Sequence, residues 1–169
     1  MRVLVSDASI LIELANWSLL EDIFQLPFEF AVPDALYEDE LLDLGAVHRE
    51  QLKRLGLRVE ALDPAGMTQA LAYRLAKPKL TIHDCFAVTL AVTHGWPLLT
   101  GDKRMRALAE EECVEVHGVL WVIDTLAEYA VVDDCRLVAI LNGMLEAPRT
   151  HLPHAEIHKR LTHFGEFRR

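Results

Sequence analysis

The 169-residue chain has the size of one domain and is long enough to bury an apolar core without disulfides or structural metals. Hydrophobic residues make up 51% and charged residues 25% of it, which excludes a disordered or fibrous protein. A formal net charge of −9 argues against binding nucleic acid through bulk electrostatics, although carboxylates that hold divalent cations would reverse the local potential.

The N-terminus and the cysteines predict a cytoplasmic protein. The chain opens with a short apolar run that Asp7 interrupts, without the long apolar core of a signal peptide. No segment reaches the roughly 18 uninterrupted apolar residues of a membrane span, so no membrane partner is expected. The three widely spaced cysteines, Cys85, Cys113 and Cys135, predict buried thiols and neither a disulfide framework nor a zinc cluster.

The first half of the chain alternates between strand-like and helix-like patterns. Residues 2–6 are apolar and β-branched enough for a buried strand, and residues 9–26 then carry apolar side chains at helical spacing. A second strand at 28–32 precedes a helix over 35–44, which Gly45 is expected to stop. The elements that follow are a helix at 47–55, a strand at 57–62 and a helix at 64–76.

The second half continues this alternation from an apolar helix that begins at Thr81. The later elements are a strand at 96–100, a helix at 102–112, a strand at 114–117, and helices at 118–130, 133–144 and 155–164. The alternation predicts an α/β fold with a central parallel sheet of four to five strands flanked by helices. We expect residues 1–130 to form one domain and residues 131–169 to form a helical C-terminal extension packed on it.

The C-terminal segment is basic. Its cationic side chains are His158, Lys159, Arg160, His163, Arg168 and Arg169. A solvated terminal helix accounts for this charge, and a tail that contacts RNA or a protein partner is the alternative.

Three aspartates stand where predicted strands end or helices begin. Asp7 directly follows the first strand, and Asp102 follows the strand at 96–100 through Gly101, which allows a sharp turn. Ligands bind at the carboxyl ends of strands in open parallel sheets, so both carboxylates are expected on one rim. Asp84 stands in the first turn of an apolar helix, where burial of an unpaired carboxylate is expensive and a bound cation could compensate it.

Each acid also has a purely structural explanation. Asp7 and Asp102 could cap the helices that follow them. Thr81 and Asp84 have the spacing of a capping box, and the acidic run at 38–40 could be a solvated helix face. Together, however, three or four acids at strand ends and helix starts provide the oxygen donors that Mg²⁺ or Mn²⁺ requires.

Four motifs occur in a fixed order along the first two-thirds of the chain. They are VLVSDASILIEL at 3–14, VPDALYEDELL at 32–42, LTIHDCFAVTLAV at 80–92 and PLLTGDKRMRALA at 97–109. Each motif is weak by itself, but the ordered set resembles a PIN domain, the fold of many metal-dependent ribonucleases, including the VapC-type toxins of toxin–antitoxin pairs. The resemblance implies a PIN-like three-layer fold.

The resemblance also implies the residues of the active site. The metal ligands would be Asp7, Glu40, Asp84 and Asp102, with Asp39 and Glu38 as alternatives to Glu40. Ser9 and Thr100 would donate hydrogen bonds that orient these carboxylates. One or two bound cations, Mg²⁺ or Mn²⁺, would polarise a phosphodiester and activate a water that attacks phosphorus in line.

The implied function is that of an endoribonuclease, the toxin of a type II toxin–antitoxin pair. RNA would be its substrate, and a cognate antitoxin and a second copy of the chain would be its protein partners. The alternative, which the choice among the three helix acids keeps open, is a catalytically incomplete PIN-like module that binds RNA or a protein partner.

Other chemistries are less well supported. A phosphatase with Asp7 as its nucleophile would need a second acid close behind it, but residues 8–10 are Ala, Ser and Ile. The histidines form no close zinc-ligand set before the tail, and His83 is expected to be only a helix-start residue. Cys85 is expected to lie on a buried helix, where thiols are usually inert.

Overall fold

The computed structural model describes residues 1–42, 44–148 and 151–166, and these ranges contain five strands and nine α-helices. The strands are β1 (Arg2–Ser6), β2 (Phe28–Pro33), β3 (Arg58–Glu60), β4 (Leu98–Leu99) and β5 (Val116–His117). The helices are α1 (Ala8–Asn16), α2 (Asp34–Asp39), α3 (Arg49–Leu55), α4 (Pro64–Ala76), α5 (Ile82–His94), α6 (Lys103–Glu111), α7 (Val119–Glu128), α8 (Asp134–Glu146) and α9 (His154–Glu166), with a 3-10 helix at Asp22–Gln25. The chain divides into two compact units, Met1–Val119 and Leu120–Arg169.

All five strands lie in one parallel sheet in the order β3-β2-β1-β4-β5, which confirms the predicted α/β fold. Val5 of β1 pairs with Ala31 of β2 on one side and with Leu98 of β4 on the other. The order of the chain therefore reverses at β1, since β2 and β3 extend the sheet in one direction and β4 and β5 in the other. A crevice opens at such a switch point, beyond the carboxyl ends of the strands.

The first unit is built around β1 and α5. Leu4 and Val5 of β1 are fully buried, as expected for a strand with a parallel neighbour on each edge. Helix α5 contacts β1, β2 and β4, and its residues 85–91 are all buried. Because α5 runs back across the sheet before parallel strand β4, its first turn lies at the carboxyl edge of the sheet. Asp84 is thereby brought to the rim that carries Asp7.

The predicted helix over residues 9–26 is wrong in its length. Helix α1 ends at Asn16, and Ser18 adopts a left-handed backbone conformation with φ of 56° before the 3-10 helix. Leu14 and Leu19, on the two sides of this break, are both fully buried. The apolar spacing thus identifies core positions correctly. The apolar residues after the break are buried by a turn and a 3-10 helix, however, and not by a continued α-helix.

The predicted helix over residues 35–44 ends early. Helix α2 stops at Asp39, with Glu40 as its C-cap, and Leu41 directly beyond it is fully buried. Leu41 lies four residues after Tyr37, which is also fully buried, so the apolar spacing identifies these core positions but does not mark the end of the helix. Asp43 lies outside the described residues. The strand at 2–6 and the helix at 64–76 have their predicted bounds, and the other predicted elements are present with shifted ends.

The second unit consists of helices, with α8 packed against α9. Arg160 of α9 donates two hydrogen bonds to the carboxylate of Asp124, at 2.7 and 2.6 Å, so this part of the basic segment is neutralised within the unit. Arg168 and Arg169 lie outside the described residues. That residues 131–169 pack on the first domain stays a prediction. Within the described ranges, no helix is long and apolar enough to cross a membrane.

The three cysteines differ in exposure. Cys85 is buried in α5, and burial raises the pKa of its thiol to about 11, so the thiol is protonated and unreactive at neutral pH. Cys113 and Cys135 are exposed, and the prediction that all three thiols are buried is wrong. Cys113 follows Glu112 in the turn after α6, and Cys135 lies between Asp134 and Arg136 in the first turn of α8, so both have charged neighbours at exposed helix ends.

Candidate active site

A cavity of about 440 Å³ opens in the first unit, where β1 and β4 lead into their helices. Its wall contains all four acids that the sequence singles out, although they come from four separate segments. The lining residues are Asp7, Ala8, Ser9, Ile12, Glu40, Asp84, Asp102 and Met105. The exposure of the acids rises from buried Asp7 through half-buried Glu40 and Asp84 to exposed Asp102.

Asp7 is the most deeply buried of these acids, with 5% of its surface exposed. Its Oδ1 accepts hydrogen bonds from the Ile10 amide and the Ser9 hydroxyl, both at 2.9 Å. Its Oδ2 accepts a hydrogen bond from the Thr100 hydroxyl at 2.5 Å, and its own amide donates to the Leu99 carbonyl at 3.1 Å. The two side chains expected to orient the carboxylates therefore both donate to Asp7.

Asp84 and Asp102 begin helices. The Thr81 amide donates to Asp84 Oδ2 at 2.7 Å and the Thr81 hydroxyl accepts from the Asp84 amide at 3.1 Å, which completes the predicted capping box. Asp102 Oδ1 accepts from the amides of Arg104 and Met105 at 2.7 and 2.9 Å. Within the described ranges, the other carboxylate oxygen of each accepts no hydrogen bond. Capping therefore does not compete with a ligand role, because it occupies one oxygen and leaves the second available.

The three acids at the end of α2 lie in different surroundings. Glu38 is 61% exposed in its side chain and pairs with Arg49 at 3.3 Å. Asp39 is 62% exposed and lies 2.8 Å from Nε2 of His83. Glu40 alone among the three lines the cavity. The structure thus places Glu40, and neither alternative, beside the other acids.

Comparison with known proteins identifies the fold family. A family model described as a PIN domain matches residues 3–166. The chain belongs to the PIN-domain family. Among solved structures, this PIN domain is similar to a PilT N-terminus domain protein from the hyperthermophilic archaeon Sulfolobus solfataricus P2, with 16% sequence identity and a TM-score of 0.48; the match covers 75% of this chain and 92% of that chain. No curated protein matches the chain.

The PIN domain is generally a nuclease fold whose members use divalent metal ions. Here its carboxylates influence one another. Burial raises the pKa of Asp7, its three hydrogen bonds oppose this shift, and the negative charge of Asp84 adds to it. Burial also raises the pKa of Glu40, with His83 opposing the shift and the charges of Asp84 and Asp7 adding to it. A cation in the cavity would favour the ionised form of each acid.

The donor chemistry of this PIN domain fits a hard divalent cation, because carboxylate oxygens are the ligands that Mg²⁺ and Mn²⁺ prefer. In the part of the chain that the structure describes, however, no group of three or more His, Cys, Asp or Glu side chains is arranged to hold a metal ion. The fit therefore rests on the donor set and not on a formed coordination sphere.

His83 has a position in the site that the sequence did not predict. Instead of being only a helix-start residue, it contacts two acids of α2: Nε2 lies 2.8 Å from Asp39 Oδ2, and Nδ1 lies 3.6 Å from Glu40 Oε1. Local sequence patterns could not reveal these contacts, because Asp39 is 44 positions away in the chain.

Lys103 and Arg104 are two cations near the site that the sequence did not predict. Both are exposed and directly follow Asp102 in the first turn of α6, and neither forms an ion pair with any residue in the described ranges. Their place in the fourth motif, immediately after its aspartate, was the available signal. Lys103 and Arg104 therefore place two positive charges between Asp102 and Met105, which both line the cavity.

Proposed function

We propose that this PIN domain is a metal-dependent endoribonuclease that hydrolyses phosphodiester bonds in RNA. The observation that carries the proposal is the convergence of Asp7, Glu40, Asp84 and Asp102 on one cavity at the switch point of the sheet. Acids whose only role is to make a helix surface hydrophilic are not expected to converge on one cavity from four segments. Mg²⁺ or Mn²⁺ is the cofactor that this set of oxygen donors favours.

In this proposal the four acids bind the cation and their neighbours hold the acids in place. When bound, the cation supplies the positive charge that activates water and stabilises the charge developing on the phosphate. Ser9 and Thr100 hold Asp7 by its two oxygens, which fixes the rotation of that carboxylate. Asp84 and Asp102 each use one oxygen for a helix cap and present the other to the ligand.

Cleavage of a mixed RNA pool by the purified protein tests this proposal. We expect cutting with Mg²⁺ or Mn²⁺, none with EDTA, and a loss of roughly 100-fold in both Asp7→Asn and Asp84→Asn. The matched control is Asp63→Asn: Asp63 caps α4 by accepting from the Gly66 amide at 2.7 Å but lies outside the cavity. Asparagine retains the cap, so this control should cut at the wild-type rate. Cutting that survives EDTA, or that is equal in all three variants, would refute the metal-dependent site.

We propose further that the enzyme is the VapC-like toxin of a type II toxin–antitoxin pair and acts in the cytoplasm, where a cognate antitoxin inhibits it. The support is the order of the four motifs, which resembles that of VapC-type toxins. Induced expression should arrest growth of a bacterial host, whereas Asp7→Asn at the same protein level should not. Growth arrest by both proteins would show that toxicity does not depend on nuclease activity, and it would contradict this proposal.

A homodimer is also proposed, with helix α4 as its interface. Met67, Leu71 and Leu75 repeat every four residues along α4 and are 41%, 52% and 83% exposed. Thr68, Ala72 and Ala76 form an exposed row of smaller side chains beside them. Arg74 is the one charged residue of this helix, in a chain with a net charge of −9. Two copies that repel elsewhere can approach on this uncharged face, where the large row of one packs against the small row of the other.

A catalytically incomplete PIN-like module remains the second candidate. The absence of a formed metal-binding group from the described ranges favours it. It predicts RNA or protein binding without cleavage in any divalent cation, and binding that Asp84→Asn leaves unchanged.

A further inference from the structure

His83 lies between the cavity and the end of α2. It is the second residue of α5, directly before Asp84, and its side chain is 20% exposed. One ring nitrogen lies 2.8 Å from Asp39 Oδ2 and the other lies 3.6 Å from Glu40 Oε1, an ion-pair contact longer than a hydrogen bond. The edge of the ring faces Phe86, with the ring centroids 6.0 Å apart. The ring is thus confined between α2 and α5.

The two acids that His83 contacts are adjacent in sequence but differ in surroundings. The Asp39 side chain is 62% exposed and lies outside the cavity, whereas the Glu40 side chain is 34% exposed and lines it. Glu40 is the C-cap of a six-residue helix, directly after Asp39. In the described ranges, His83 is the one residue that makes a polar contact with the Glu40 carboxylate.

We propose that His83 is a positioning residue that assigns the last two acids of α2 to different roles. By binding Asp39, it ties the end of α2 to the first turn of α5 and keeps Asp39 on the outside. By facing Glu40 with its other nitrogen, it keeps that carboxylate turned toward Asp7 and Asp84. This inference rests on the proposed function, since it takes Glu40 to be a cation ligand and His83 to act through it.

Mn²⁺ binding to the full-length protein tests this role without measuring catalysis. His83→Leu keeps similar bulk and removes both nitrogens, and it should weaken Mn²⁺ binding by about 10-fold in calorimetry, as loss of a residue that orients a ligand does. His83→Gln retains a donor that can reach Asp39 and should recover part of the affinity. The matched control is His94→Leu at the other end of α5, where the ring stacks on Trp96 with centroids 4.1 Å apart; it should bind Mn²⁺ as the wild type does.

Pulsed EPR of the bound Mn²⁺ separates positioning from direct ligation. A positioning role predicts no imidazole nitrogen coupling to the metal in the wild type. Nitrogen coupling that disappears in His83→Leu would make His83 a ligand and overturn the proposal. So would Mn²⁺ binding by His83→Leu within about twofold of a wild type that binds the ion. A wild type that binds no Mn²⁺ overturns the proposed function itself, and this inference with it.

Asp39→Asn gives a second test that does not depend on His83→Leu being folded. If His83 acts through its contact with Asp39, this exposed substitution should by itself weaken Mn²⁺ binding several-fold. Combined with His83→Leu, it should add nothing further, because both changes break the same link. Independent effects that multiply in the double variant would contradict the proposed coupling, as would wild-type affinity in Asp39→Asn.

Discussion

Asp7 connects three parts of the first unit through one carboxylate. Its Oδ1 caps α1 and its Oδ2 binds Thr100 at the end of β4, which ties the two strands on either side of the switch point. A buried carboxylate without partners would be costly, and three hydrogen-bond donors offset much of that cost. The remaining penalty appears as the raised pKa of this residue.

The raised pKa of Asp7 predicts how this residue contributes to stability as pH changes. Its ordinary pKa of 3.8 is raised in the folded state, so the folded protein holds the proton more tightly than the unfolded chain does. The stability it contributes is fully present below pH 3.8 and is lost as pH rises through the folded pKa. Relative to Asp7→Asn, the free energy of unfolding of the wild type should therefore fall with rising pH and then level off. Urea denaturation in EDTA over a pH series measures this difference, and a difference that is constant with pH would contradict it.

The sequence predicted the residues of the site unevenly, for a physical reason. Asp7 and Asp102 follow strands and Asp84 begins a helix, so local pattern and the rules of parallel sheets were enough to locate them. The position of Glu40 depends on where α2 ends, and the helix ends at Asp39, well before the local stop signal at Gly45. The role of His83 depends on a contact between distant segments, so no local pattern could have found it.

The position at which a helix ends depends both on the local residue type and on tertiary burial. Gly56 after α3 and Gly95 after α5 adopt positive φ angles of 116° and 65°, a conformation that glycine reaches without strain. These stops could be predicted from sequence. The break at Ser18 could not, because a residue with a side chain adopts φ of 56° there and no glycine marks the position.

Cys113 also adopts a left-handed backbone conformation after a helix, although it is not a glycine. It follows the C-cap of α6 with φ of 58°, and its amide donates to the Glu110 carbonyl at 3.0 Å. Cys113→Gly should relieve the left-handed strain and raise the free energy of unfolding by about 1 kcal/mol, read from urea denaturation. Cys113→Ala removes the same exposed thiol without relieving the strain and should leave stability nearly unchanged. Equal stabilisation by both variants would assign the effect to the thiol.

The uncharged face of α4 gives a second prediction for an element. Leu71→Glu combined with Leu75→Glu should convert a dimer to a monomer in light scattering after size exclusion, because four buried carboxylates would face one another across a symmetric interface. The control is Leu55→Glu, at an exposed leucine of α3, which should leave the mass unchanged. A wild-type protein that is monomeric at every concentration would exclude this interface.

For the whole molecule, net charge and local charge lead to different expectations for RNA. The net charge of −9 repels a polyanion at long range, while Lys103 and Arg104 stand beside the cavity in the segment of Asp102. If RNA is the substrate, as proposed, these local cations would supply the phosphate contacts that the overall composition does not. Composition alone argues against an RNA partner, but it does not report which charges share a surface.

Replacing Lys103 and Arg104 by alanine should weaken RNA binding and lower its salt dependence. In an Asp7→Asn background that does not cut RNA, loss of two phosphate contacts should reduce the slope of log affinity against log salt by about 1.4. Fluorescence anisotropy at several salt concentrations measures the slope. The same pair of residues occurs on α3 as Lys53 and Arg54, in a helix that contributes no residue to the cavity wall, and its double alanine variant should leave the slope unchanged. Equal effects from both pairs would indicate non-specific attraction.

The helix caps made by Asp7, Asp84 and Asp102 have a consequence for mutational robustness. Asparagine has the same shape as aspartate and caps a helix equally well, so an amide at any of the three positions leaves that helix start intact while removing a charge. Replacing one carboxylate oxygen by an amide NH2 group should then abolish activity without unfolding the protein. Under selection against a harmful activity, such a chain has several one-step routes to a folded, silent protein. Variants that survive induced expression of the protein and keep normal protein levels should carry substitutions mainly at these three positions.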